Sequence, residues 1–164
     1  MLELNSEIGF NSTELDLYIE NELYARLGTD IELGDSLQSD DDPRLDSMHS
    51  NEREFSKFLL SKDLVVFLEP EILNLNHIPD FFVCNLKRFE LDTSYVGRFL
   101  ELTLLKASDL DSQSPYGRKK FARKRRQKAA FESLNIPVSY ICREEQECIK
   151  QYQQNHYEGI NNLF

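Results

Sequence analysis

The chain has 164 residues, 40% of them hydrophobic, which suffices for one packed domain plus an appendage. No run approaches the roughly 18 apolar residues of a membrane span, and the N-terminus lacks a basic-then-apolar leader pattern, so a cytoplasmic protein without a membrane segment is expected. The net charge of −10 averages two unlike parts: residues 1–50 carry thirteen Asp/Glu against two Lys/Arg, residues 51–164 carry sixteen against seventeen, and nine basic residues crowd into 106–128 beside two acidic ones.

In chain order, residues 1–10 alternate weakly and read as an edge strand. Ser12 or Thr13 opens a helical pattern through Leu15, Tyr18, Ile19, Leu23 and Leu27, and Gly28 stops it. Residues 29–50, acidic and carrying Gly34 and Pro43, read as a mobile linker. Asn51 and Glu54 have capping-box spacing before Phe55, Phe58 and Leu59, which predicts a helix over 51–61. Strands are predicted over 63–69, 79–86 with a hairpin continuation near 88–91, and 97–105; a polar loop follows over 107–117. A helix over 118–134, a strand over 137–142 and a helix over 144–154 complete the chain. The order predicts an α/β fold with a mixed central sheet of about four strands flanked by helices, preceded by an acidic N-terminal extension over residues 1–50. Cys84, Cys142 and Cys148 form no CxxC pair and read as reduced thiols.

Two carboxylates stand out. Asp80 opens the apolar run Pro79-Asp80-Phe81-Phe82-Val83, and Glu101 lies inside Phe99-Leu100-Glu101-Leu102. Burying a carboxylate in a hydrophobic strand is costly unless something compensates it. Strand parity places Leu100, Leu102 and Leu104 on one face and Phe99, Glu101, Thr103 and Leu105 on the other. If the two runs pair, Asp80 and Glu101 converge near one sheet end, and a divalent cation becomes the obvious compensator. A salt bridge from Glu101 to Arg98, Lys87 or Arg88 is the plainer alternative. His77 is near enough in sequence to approach such a site, although a loop histidine is more often structural.

The helix over 118–134 is basic almost all round its first turns: Arg118, Lys119, Lys120, Arg123, Lys124, Arg125, Arg126 and Lys128. Like charges at i,i+4 are unfavourable unless they meet an anion, and a phosphate backbone is the natural one. Lys120, Arg123, Lys124 and Gln127 share one side, which continues into Ala130, Phe131 and Leu134 and should face the sheet.

Pro79-Asp80, a spacer of twenty residues and Glu101-Leu102-Thr103, in this element order, resemble the PD-(D/E)xK nuclease superfamily over about residues 51–150. The resemblance implies a restriction-endonuclease-like domain over 51–164 and metal-dependent phosphodiester cleavage, usually of DNA. It implies Asp80 and Glu101 as ligands of Mg²⁺ or Mn²⁺, with the Leu102 carbonyl as a further oxygen. Related enzymes often add an acidic residue from the first helix, here Glu52. Thr103 departs from the motif, which has lysine there to position or activate the attacking water. Lys120 or Lys124 is the favoured substitute, with Gln127 orienting water or phosphate. The alternative is a catalytically inactive module of the same fold that binds nucleic acid or a protein. DNA ranks ahead of RNA as partner. A protein partner, intramolecular docking of the acidic segment on the basic helix, and a homodimer stay open.

Overall fold

The computed structural model describes residues 12–73, 75–102, 115–142, 154–156 and 163–164. Helix α1 (Ser12–Leu27) is followed by β1 (Ile31–Glu32), a 3₁₀ turn (Pro43–Ser47), α2 (Ser50–Leu60), β2 (Val65–Leu68) and β3 (Glu71–Ile72). Then come β4 (Phe81–Cys84), α3 (Leu86–Leu91), β5 (Arg98–Leu102), α4 (Pro115–Glu132), β6 (Val138–Cys142) and β7 (Gln154–His156). The class is mixed α/β. The main sheet has order β2-β4-β5-β6-β7, antiparallel through β2-β4-β5 and parallel through β5-β6-β7, while β1 and β3 form a small separate antiparallel pair.

Both faces of the sheet are covered, which is why β4 reads as the continuous apolar run Phe-Phe-Val-Cys rather than as an alternation. On one face Phe67, Phe82, Phe99, Val138 and Tyr140 pack with Ile19 and Leu23 of α1 and Phe131 of α4. The rings of Phe82 and Phe131 lie 5.9 Å and 5.2 Å from Phe99. On the other face Val66, Phe81, Val83, Leu100 and Ile141 pack with Phe55 and Leu59 of α2 and with Leu37 and Leu45. Cys84 is fully buried, and burial pushes its thiol up to about 12, as suits a reduced core thiol.

Several expectations need correction. Residues 29–50 are not a loose linker: Ile31, Leu33, Leu37 and Leu45 are buried, and the Leu37 N–H donates to the Val66 carbonyl at 2.8 Å along the outer edge of β2. Asp16 in α1 accepts bonds from both the backbone N–H (2.9 Å) and the hydroxyl (2.7 Å) of Ser36, a buried polar clasp that composition does not reveal. Consequently α1 and β1 share a hydrophobic core with the sheet and α4, across the boundary drawn at residue 50. The hairpin continuation near 88–91 is helix α3, because the Asn85 side chain caps it by accepting the Arg88 N–H. Helix α2 starts at Ser50 with His49 at its cap position, so Asn51 lies inside the helix. The sheet gains a fifth strand, β7. The edge strand over 1–10, most of the loop over 107–117 and most of the helix expected over 144–154 lie outside the described residues.

Other expectations hold. Gly28 takes φ +71° and its N–H bonds the Tyr24 carbonyl at 2.8 Å, ending α1 in a left-handed residue. No described helix is long and apolar enough to cross a membrane.

Candidate functional site

The site is built where the sheet changes from antiparallel to parallel. Phe81 pairs with Leu100 and Phe82 with Phe99, so continuing the β4–β5 register by one residue sets Asp80 opposite Glu101. Two hydrogen bonds join them: the Asp80 N–H donates to Glu101 Oε1 at 2.8 Å, and the Leu102 N–H donates to Asp80 Oδ2 at 2.9 Å. Each carboxylate is thereby oriented by backbone belonging to the other's strand or its extension. Glu101 is only 2% exposed, and Asp80 is half-buried.

The Arg98 alternative fails on geometry. Arg98 points to the opposite face from Glu101 by parity, and its guanidinium donates to Ser139 Oγ at 2.9 Å. Lys87 and Arg88 lie exposed on α3, with the Arg88 guanidinium 4.4 Å from the Tyr95 ring centre.

Glu52 comes to the same sheet end from α2. With Asp80, Glu69, His49 and Arg44 it lines a cavity of about 250 Å³. Its carboxyl is held above the usual range, chiefly by burial and then by the charges of Asp80 and Glu69, with His49 acting in the opposite sense. Glu69 takes φ +45°, an unusual conformation for a residue with a side chain, and its N–H donates to the Asp80 carbonyl at 3.0 Å. Neither Glu69 nor His49 was a candidate from sequence. Glu69 looks like an ordinary strand end until the β2–β4 pairing is known.

Above the other face, α4 brings Gln127 to the site. Glu101 is paired in register with Tyr140 on β6, and the Tyr140 hydroxyl donates to Gln127 Oε1 at 3.2 Å. Tyr140 is 6% exposed; burial, then the charges of Glu101, Glu132 and Asp80, push its phenol well above the ordinary value. Tyr140 was also missed, since nothing in Val-Ser-Tyr-Ile-Cys marks it before β5 and β6 are placed side by side.

Thr103 and the side chains of Arg118, Lys120 and Lys124 lie outside the described residues. Lys119, Arg123, Arg125 and Arg126 are exposed on α4. Lys128 is half-buried and lies 3.8 Å from Glu132, one helical turn on. His77 packs edge-on against Phe131, with the ring centres 6.2 Å apart. Tyr18 packs edge-on to Phe89 in the core, whereas Tyr24 is exposed.

Among the described residues no group of three or more His, Cys, Asp or Glu side chains is gathered so as to hold a metal ion. The pair itself is an all-oxygen donor set on rigid backbone, which suits a hard cation that takes one or two carboxylates and keeps several waters. In comparisons with family models, curated proteins and solved structures, nothing matched this chain.

Proposed function

We propose that the chain is a small metal-dependent nuclease of PD-(D/E)xK type that cleaves phosphodiester bonds in nucleic acid, DNA ahead of RNA, in the cytoplasm. The observation that carries this reading is the exchange of hydrogen bonds between Asp80 and Glu101 at the sheet end, with Glu101 almost fully buried. A carboxylate kept under a helix at the end of a strand costs stability, and such costs concentrate at functional sites.

Asp80 and Glu101 would hold Mg²⁺ or Mn²⁺, with Glu52 lining the adjoining cavity. Bound there, the cation would polarise the scissile phosphate and lower the pKa of a water. Gln127 supplies a neutral amide next to the pair in place of the lysine that Thr103 replaces, and Lys120 or Lys124 on the same helix supplies the cation. The exposed Lys119, Arg123, Arg125 and Arg126, with Arg118 and Lys128, form the face that meets phosphate.

One observation favours a second reading. Without a third ligand gathered among the described residues, and with Thr103 in the lysine position, the chain fits a module that binds nucleic acid or a protein without cutting. Cleavage of plasmid and single-stranded DNA with Mg²⁺ or Mn²⁺ decides between them. Wild type cleaves, and Asp80→Ala and Glu101→Ala fall by at least about 100-fold. Wild type that binds DNA without cutting it supports the binding module instead, and equal cleavage by all three proteins assigns the activity to a contaminant.

A further inference from the structure

We propose that Tyr140 is a positioning residue of this site: its hydroxyl holds the Gln127 amide in one orientation beside Glu101, so that the amide presents N–H donors to the reacting groups. The inference rests on the nuclease reading and deepens it.

Two observations and one rule of hydrogen bonding converge. Tyr140 is the residue paired with Glu101 across β5 and β6, so the two side chains leave the sheet on the same face as neighbours. Its hydroxyl donates to Gln127 Oε1 at 3.2 Å, crossing from the sheet to α4. An amide has one accepting and one donating end, and a bond to Oε1 decides which end is which. With the oxygen engaged by Tyr140, the Nε2 group and its two hydrogens are the end left for water or a phosphate oxygen.

Packing alone does not require the hydroxyl. The Tyr140 ring belongs to the cluster containing Phe82, Phe99, Phe131 and Val138, where a phenylalanine ring would bury equally well. A buried hydroxyl brings a desolvation cost that its hydrogen bond must offset.

The test uses the full chain and steady-state cleavage of DNA with Mn²⁺, comparing wild type with Tyr140→Phe, Gln127→Glu, Gln127→Leu and the Tyr140→Phe/Gln127→Leu double variant. Gln127→Glu keeps an oxygen to accept the Tyr140 bond but has no N–H to donate. The expected result is a loss in kcat of at least about tenfold for each single variant, with KM within about twofold of wild type. The double variant is then no worse than the poorer single one, because both act through one amide. Tm stays within about 2 °C of wild type in Gln127→Glu, so its kcat loss is not a folding defect.

Tyr140→Phe cleaving like wild type overturns the inference, as do losses that multiply in the double variant or Gln127→Glu retaining full kcat. If Tyr140→Phe fails to fold, the Gln127→Glu result decides alone. Wild type without metal-dependent cleavage overturns the nuclease reading and this inference with it, whereas wild-type cleavage with unaffected variants overturns only this one.

Discussion

Asp80 and Glu101 orient each other through the main chain: the Asp80 N–H holds Glu101 Oε1 at 2.8 Å, and the Leu102 N–H holds Asp80 Oδ2 at 2.9 Å. Charge-assisted bonds of this kind are stronger than neutral ones and stiffen both side chains. The β4–β5 register sets the two carboxyl groups on neighbouring strands at the end of a covered sheet.

Glu101→Gln keeps a side-chain oxygen for the Asp80 N–H at a position only 2% exposed, and removes the carboxylate that would hold the metal. Adding Mn²⁺ should raise Tm in wild type and leave the variant unmoved, since binding to the folded state alone adds stability by mass action. Calorimetry with and without Mn²⁺ checks both halves; no Mn²⁺ response in wild type would count against the metal site.

Glu52 gives a pH dependence with a definite sign. Burial, Asp80 and Glu69 raise its folded-state pKa above the unfolded value. Between those two values the folded protein binds the extra proton, so the stabilisation is complete below the unfolded pKa and is lost as pH rises through the folded one. Glu52→Gln removes this loss. Its stability relative to wild type should therefore increase as pH rises from about 4 toward 7 and then level off. Urea denaturation of both proteins across that range checks it, and a constant difference would show that Glu52 is not perturbed.

Arg26 ties α1 to α3. Its guanidinium donates to the carbonyls of Phe89 (2.9 Å), Asp92 (3.3 Å) and Tyr95 (2.6 Å) and lies 4.0 Å from the Phe89 ring centre. It thus satisfies carbonyls that the end of α3 leaves without helical partners. Arg26→Ala should cost about 3 kcal/mol, through lost bonds to a charged donor and through stranded carbonyls. The midpoint in guanidinium chloride is the measurement, and a loss below about 1 kcal/mol would mean that water replaces the side chain without penalty.

Gly97 precedes β5 with φ +75°, and an added Cβ would lie 2.6 Å from the Phe82 ring and 2.9 Å from the Val83 carbonyl oxygen. Gly97→Ala combines left-handed strain of about 1 kcal/mol with overpacking of about 1–3 kcal/mol. Because the clash presses on β4 between Asp80 and α3, metal-dependent cleavage should fall along with Tm. An alanine variant with wild-type Tm would show that this turn relaxes freely.

Much of the scaffold was legible from local pattern. Gly28 stops α1 because only a residue without Cβ enters the left-handed region cheaply. The apolar runs around Phe81–Cys84 and Arg98–Leu102 are strands because both sheet faces are covered. Residues 29–50 misled because Asp, Ser and Gly signal solvent exposure on average, whereas here four apolar residues spaced among them reach the core and Asp16 clasps Ser36 from another element. Residues 86–91 misled because six residues are too few for periodicity to separate a helical turn from a strand.

The sequence by itself determined that two carboxylates sit in apolar strands and that a basic helix follows them, because burial and charge are written into local composition. Tertiary structure decided which groups meet. Strand register set Asp80 against Glu101 and Glu101 beside Tyr140, and the docking of α2 and α4 on opposite faces brought Glu52 and Gln127 to the same sheet end. Register and docking depend on contacts between residues far apart in the chain, and no local pattern encodes those distances.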